Sequence, residues 1–103
     1  MQTFRIVVAA ALLCGASHAL AAGDAKAGRK KALQCQTCHG MDGLSKLPEA
    51  PNLAGQTEFY LAKAFTDFKT GARQNDMMSL VAPTASEQDI ADLAAYYSSL
   101  KAE

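Results

Sequence analysis

Histidine and cysteine are scarce in this chain, and their scarcity limits the metal chemistry open to it. Its 103 residues include three cysteines and two histidines. Cys14 and His18 lie in an N-terminal segment that we expect to be removed, which leaves Cys35, Cys38 and His39. A closed zinc site normally needs four ligands, so these three residues cannot complete one.

The chain also has no excess of positive or negative charge. Ten lysines and arginines stand against ten aspartates and glutamates, so the formal net charge is zero. Nucleic-acid-binding domains instead present an excess of basic residues, and we therefore expect no nucleic-acid partner. Acidic residues such as Asp42, Glu49 and Asp67 are scattered with no acid–base or nucleophilic constellation, which indicates solvated surface charge rather than an enzyme active site.

A long apolar stretch stands at the N-terminus, from Ile6 to Leu13, and it is too short to span a bilayer. Arg5 precedes it and Ala19-Leu20-Ala21 follows it, which is typical of a secretory signal peptide with its cleavage site. We predict that residues 1–21 are removed and that residues 22–103 form one small domain in the periplasm, with no stable membrane insertion and no internal repeat.

The most informative feature present is the motif Cys35-Gln36-Thr37-Cys38-His39. Two cysteines at this spacing can form thioether bonds to the two vinyl groups of a haem, and the next residue can then bind the iron. A redox dithiol shares the cysteine spacing, but it needs a βαβ setting, and no convincing strand flanks this motif. The motif predicts one covalently attached haem c, held by Cys35 and Cys38 with His39 on the iron, over a zinc or dithiol module.

Three helices are predicted around the motif. The first runs from Asp24, a candidate N-cap, to about Leu33. The second runs from about Thr57 or Glu58 to Thr70, where Gly71 ends it. The third begins after the capping residue Ser86. Apolar residues recur at helical spacing in the last two helices, at Leu61, Ala64, Phe65 and Phe68 and at Ile90, Leu93, Ala94 and Tyr97, widened by Tyr96 and Leu100.

Gly28 is a costly residue in the interior of the first helix unless another element packs closely on it. The broad apolar face of the third helix is the expected neighbour. The connecting segments 39–56 and 72–85 carry three of the seven glycines and all three prolines, and we expect them to wrap the haem. The prediction is an all-α fold.

The sixth iron ligand is expected to be a methionine. His39 is the one histidine left after cleavage, which excludes two histidine ligands within a single mature chain. Met41 lies only two residues further on and cannot easily reach the opposite face of the haem. Met77 and Met78 follow a polar loop and precede the last helix, although methionine also serves simply as core filler. We expect Met78 to bind the iron, with Met77 as the alternative.

The chain resembles a class I cytochrome c, and it is most similar to the small bacterial cytochromes of the c4, c5 and c553 type. The resemblance implies the class I cytochrome c fold, with about three main helices and loops wrapped around one covalent haem. It rests on the motifs Gly23–Gly28, Cys35–Gly40, Pro51–Gln56, Met77-Met78 and Asp89–Tyr97.

The resemblance also implies roles for single residues. The carbonyl of Pro51 would accept a hydrogen bond from the imidazole of His39, Gly28 would meet Tyr96 where the first and last helices cross, and Met78 would bind the iron. Two departures stand out. Members of the c4 type carry two such domains and two haems, whereas this chain has one motif and is predicted to be a single-haem relative. Thr84–Glu87 replaces the usual Leu-Ser-Asp lead-in to the last helix, and a shift of the chain there would favour Met77 as the alternative ligand.

With both axial positions filled by protein, the expected function is outer-sphere transfer of one electron at a time, and the protein is expected not to be an enzyme. The exposed haem edge would lie near 34–38 and 77–82. Expected partners are redox proteins, namely a dehydrogenase, another cytochrome or a terminal oxidase. The protein itself is expected to be a monomer or a cytochrome subunit of a dehydrogenase complex. The alternative is a haem enzyme or gas sensor with an open iron site.

Arg29-Lys30-Lys31 is interpreted as a solvated helix face, with docking of an acidic partner as its other possible use.

Overall fold

The structure is a computed structural model that describes residues 2–3 and 22–102. Most of the predicted signal peptide, with Cys14 and His18, lies outside the described residues. The described residues form five α-helices in sequence, α1 at Ala25–Lys31, α2 at Gln36–His39, α3 at Glu58–Thr70, α4 at Met78–Val81 and α5 at Glu87–Ser98. Short 3₁₀ turns follow α1 and α4. The described part of the chain contains no strand, which confirms the all-α prediction.

The three predicted helices begin at the predicted positions, and each has a side-chain cap. The carboxylate of Asp24 accepts hydrogen bonds from the first turn of α1, and the hydroxyl of Thr57 accepts one from α3. Ser86 and Asp89 form a reciprocal capping box at the start of α5. Gly71 ends α3 in the left-handed region, with φ of 84°. Within the described ranges, no helix is both long and apolar enough to cross a membrane.

Two helices were not predicted. Both α2 and α4 have four residues, which is too short for an apolar periodicity to show in the sequence. The first helix also ends at Lys31, earlier than the predicted Leu33, because the chain tightens there into a 3₁₀ turn over Ala32–Gln34. Such turns are common at helix ends.

The core lies where α5 packs against α1 and α3. Its buried members are Ala32, Leu61, Leu93, Ala94, Tyr96 and Tyr97. The predicted apolar stripe of α5 is thus buried as expected. Cys35, Met41 and Phe65 are partly buried and pack against this core. The segment that carries the cysteine motif therefore rests directly on the best-packed part of the molecule.

Gly28 marks the crossing of α1 and α5. A Cβ atom at this position would lie 1.9 Å from the backbone carbonyl oxygen of Asp92 and 2.8 Å from Cβ of Tyr96. Both distances are far below van der Waals contact, so a side chain at position 28 has no room. The predicted contact between Gly28 and Tyr96 is present in the structure.

We expect Gly28→Val to lower the free energy of unfolding by on the order of 1–3 kcal/mol, because the side chain would force α1 away from α5. Thermal or denaturant unfolding measures this loss. Arg29→Val is the matched control, since Arg29 is an exposed residue of the same helix, and its cost should stay within the ~0.7 kcal/mol of helix propensity. Equal stabilities of the parent and Gly28→Val would show that the crossing is not tightly packed.

Candidate haem site

Cys35 is the N-cap of α2 and Cys38 is the third residue of that helix, so the two lie about one helical turn apart. Residues three apart on a helix share a face, so both sulfur atoms can approach the same edge of a bound group. Both are free cysteines of intermediate exposure. Burial raises the pKa of the Cys35 thiol. A catalytic dithiol needs the opposite shift, because the thiolate is its nucleophile.

His39 is the last residue of α2 and is buried, with 8% of its surface exposed. Its Nδ1 atom lies 3.0 Å from the backbone carbonyl oxygen of Pro51, the contact that the resemblance implied. Because a carbonyl oxygen can only accept, Nδ1 carries the proton in this contact and Nε2 keeps its lone pair. A metal-binding histidine is typically oriented in this way.

Two tyrosines of α5 hold the backbone that follows His39. The hydroxyl of Tyr97 donates to the carbonyl of Gly40 at 3.0 Å, and the hydroxyl of Tyr96 donates to the carbonyl of Met41 at 2.5 Å. Gly40 has φ of 73°, which favours glycine. Burial raises the pKa of Tyr97, so this hydroxyl stays protonated and remains a donor. The histidine-bearing turn is thereby tied to the core.

A second set of bonds closes the loop between His39 and Pro51. The carbonyl oxygen of Gly43 accepts hydrogen bonds from the backbone N–H groups of Leu53 and Ala54, at 2.8 and 3.0 Å. This closure returns the chain towards α2 and places the Pro51 carbonyl beside the imidazole. These hydrogen bonds therefore hold the loop in the conformation that orients the His39 imidazole.

The three methionines of the described domain occupy different environments. Met41 is partly buried against the core, beside the histidine turn. Met77 is 60% exposed and precedes α4. Met78 is of intermediate burial and opens α4, which packs against α3. Of the neighbouring pair, Met78 is therefore the less exposed.

The donor set fits a covalently attached haem. Two thiols share one helical face, a buried imidazole presents Nε2, and a thioether is available at Met78. In the described ranges no cluster of three or more histidine, cysteine, aspartate or glutamate residues could hold a metal ion by itself. These residue types are the ones that form the covalent and axial bonds of haem c, and they do not match a zinc centre.

A buried carboxylate, which the sequence did not single out, joins α1 to α5. Asp92 is 3% exposed and accepts hydrogen bonds from the backbone N–H of Asp24 at 2.9 Å and from Gln88 at 2.8 Å. Its other oxygen lies 2.6 Å from Nζ of Lys31, which also pairs with Asp89 at 2.8 Å. The sequence did carry one sign of this buried carboxylate, because Asp92 is a charged residue next to the apolar stripe of α5.

These ion pairs correct the interpretation of Arg29-Lys30-Lys31 as one solvated face. Arg29 and Lys30 are exposed, but Lys31 is bound to the two aspartates of α5. Its ammonium group is held by carboxylates of the same chain, because Asp92 is buried and needs a cationic partner. Two residues of the run remain for contact with another protein.

Asp92 predicts a defined acid response. The Lys31 ammonium and the Asp24 N–H lower the pKa of the Asp92 carboxyl from 3.8 to about 2. A depressed pKa in the folded state gives stability that is fully present above the unfolded value and is lost as the pH falls through the folded value. The stability advantage of the parent over Asp92→Asn should therefore shrink between about pH 4 and pH 2.

Urea unfolding at a series of pH values measures this difference. Asp42 and Asp89 also have lowered pKa values, but both are present in parent and variant. The contribution of Asp42 should cancel in the comparison, whereas Asp89 shares Lys31 with Asp92, so the difference reports the ion-pair cluster of Lys31, Asp89 and Asp92. A parent–variant difference that does not change with pH would contradict the role assigned to this carboxylate.

An all-α fold built on a Cys-x-x-Cys-His turn is that of a class I cytochrome c. The family model described as cytochrome c matches residues 25–101. Cytochrome c4 from Pseudomonas aeruginosa is 49% identical over 89 residues, which cover 86% of this chain and 43% of that protein. The chain belongs to the cytochrome c family and is of the c4 type.

Two further comparisons bear on the size of the unit. The crystal structure of reduced recombinant cytochrome c4 from Pseudomonas stutzeri matches with a TM-score of 0.73 and 44% identity, over 78% of this chain and 47% of that one. Cytochrome c-554(548) from Halomonas halodenitrificans is 46% identical over 81 residues, which cover 76% of this chain and 98% of that protein. The chain thus spans less than half of the c4 relatives and nearly all of the shorter one.

Proposed function

We propose that this protein is a periplasmic electron carrier that holds one haem c and passes one electron at a time between redox proteins. The observation that carries the proposal is the turn at residues 35–39. It sets two thiols on one helical face, ahead of a buried imidazole that Pro51 orients. Cys35 and Cys38 would hold the haem, and Nε2 of His39 would bind its iron. When bound, the haem supplies a one-electron redox centre.

Met78 is the proposed second axial ligand. It is less exposed than Met77, and it opens a helix that packs against α3. Filling both axial positions with protein atoms would leave no site on the iron for a substrate. Electron transfer through an exposed haem edge, rather than chemistry on a bound substrate, follows from that arrangement.

One haem in one exported domain is the proposed composition. The sequence contains one Cys-x-x-Cys-His motif, and residues 1–21 read as a signal peptide that would be removed. A relative that this chain covers over 98% of its length supports a unit of this size. Residues 22–103 are the proposed mature domain.

The proposed partners are redox proteins, namely a dehydrogenase, another cytochrome or a terminal oxidase. The protein would meet them as a monomer or as a subunit of a dehydrogenase complex. Electron-transfer encounters use small, short-lived interfaces. The near-neutral charge and the internal pairing of Lys31 leave little charge to steer them. Their rates should therefore change only modestly with ionic strength.

Stopped-flow mixing tests this function against the open-site alternative. The reduced protein is mixed with a substitution-inert metal complex as oxidant and, separately, with carbon monoxide. A carrier should be oxidised rapidly and should bind carbon monoxide only slowly, because a protein ligand must first leave the iron. Immediate binding of carbon monoxide would favour the haem enzyme or gas sensor instead.

A further inference from the structure

A closed set of local hydrogen bonds surrounds the two neighbouring methionines. The side-chain oxygen Oδ1 of Asn75 accepts from the backbone N–H groups of Met77 and Met78, both at 3.0 Å. In return, the backbone N–H of Asn75 donates to Oγ of Ser79 at 3.0 Å. Asn75 thus bonds to both candidate ligand residues and to the residue that follows them. We call Asn75 and Ser79 the methionine clamp.

The clamp stabilises a helix that cannot stand alone. Helix α4 has four residues, far fewer than an isolated helix needs in water. The N–H of Ser79 also donates to the carbonyl of Asn75 at 3.0 Å, so the clamp and the first helical bond share the same two residues. The direction in which Met78 leaves the backbone therefore depends on Asn75.

The bonds of the histidine side differ from those of this side. His39 is buried, and tyrosines more than fifty residues away hold the turn behind it. The methionine turn is capped by bonds that span two to four residues and are exposed. Asn75 and Ser79 also line an open cavity of about 490 Å³, so water can compete for their polar groups. Loss of the clamp should consequently loosen this turn without unfolding the core.

We propose that Asn75 is a positioning residue that holds the methionine turn in the geometry in which Met78 binds the iron. This inference rests on the proposed function, because it requires a methionine ligand. The clamp then sets how readily an external ligand can take the place of Met78. An external ligand binds only the fraction of molecules in which the position is free, so its apparent affinity reports the strength of the methionine bond.

Titration of the oxidised protein with imidazole measures that strength. The readout is the loss of the sulfur-to-iron charge-transfer band as imidazole replaces the methionine. Asn75 accepts from two backbone N–H groups as an N-cap side chain does, and removing an N-cap side chain corresponds to a change of roughly 2- to 30-fold in an equilibrium constant. We therefore expect Asn75→Ala to lower the apparent dissociation constant of imidazole by about 2- to 30-fold. Asn75→Asp keeps an acceptor oxygen at a position that favours it, and should stay within about twofold of the parent.

Ser86→Ala is the matched control, since Ser86 caps α5 through the same kind of reciprocal bond. It should lower the melting temperature but leave imidazole binding unchanged. If Asn75→Ala does not alter imidazole binding, or alters it no more than Ser86→Ala does, the positioning role is wrong. If the parent itself lacks the charge-transfer band, the proposed methionine ligation fails instead, so the two failures are distinguishable.

Discussion

Met78→Ala should abolish the near-infrared sulfur-to-iron charge-transfer band of the oxidised protein and lower its reduction potential. A thioether ligand favours the reduced iron and raises the potential, so its loss acts in the opposite direction. The fall should be a sizeable part of the roughly 0.8 V over which axial ligands set haem potentials. Absorption spectroscopy and redox titration of the purified variant measure both effects.

Met77→Ala is the matched control because the two methionines are adjacent and share the same capping residue. Met77 is 60% exposed, so its loss should leave the band and the potential nearly unchanged. The reverse pattern, with the band lost in Met77→Ala and kept in Met78→Ala, would move the ligand assignment to Met77.

Replacing both Cys35 and Cys38 by serine should leave no haem attached to the polypeptide. Serine cannot form the thioether bonds, so the haem would be held by its axial ligands alone. The proposed mature domain is small, and a large apolar cofactor fixed by two bonds would supply part of its core. We therefore expect the variant to be colourless after acid–acetone extraction and to fold poorly.

Cys14→Ser provides the control for this experiment, since Cys14 falls in the predicted signal peptide. That variant should keep its colour after extraction, and its intact mass should correspond to residues from about Ala22 onward plus one haem. Covalent haem in the Cys35→Ser, Cys38→Ser double variant would show that the motif is not the attachment site.

The helix positions could be predicted because local chemistry sets them. Asp24, Thr57 and Ser86 each cap a helix with a side-chain oxygen, and the structure confirms all three starts. The crossing could also be anticipated, because a glycine inside a helix carries a cost that a close contact explains. Gly28 and Tyr96 do meet there.

Contacts between distant parts of the chain could not be predicted in the same way. Periodicity placed Tyr96 and Tyr97 on a buried face, but it did not say which carbonyl each hydroxyl would find. Lys31 read as part of a basic helix face, because nothing local reveals that Asp92 lies beneath it. These partners are set by how the helices cross, which a single sequence encodes only indirectly.

The choice between Met77 and Met78 depends on geometry of the same kind. Elimination narrowed the sixth ligand to the pair, and the resemblance favoured Met78. The structure adds that Met78 is the less exposed and that Asn75 caps both residues. A four-residue helix gives no periodic signal, so its presence, and the direction it gives Met78, had to come from the structure.

Redox titration of the purified protein, followed by its absorption spectrum, tests the central claim most directly. A single haem with histidine and methionine ligands predicts one reversible transition with the slope of a one-electron couple. The sulfur-to-iron band should be present only in the oxidised form. Two separate transitions, or an oxidised form that lacks the band and binds added ligands at once, would contradict the account of a one-haem electron carrier.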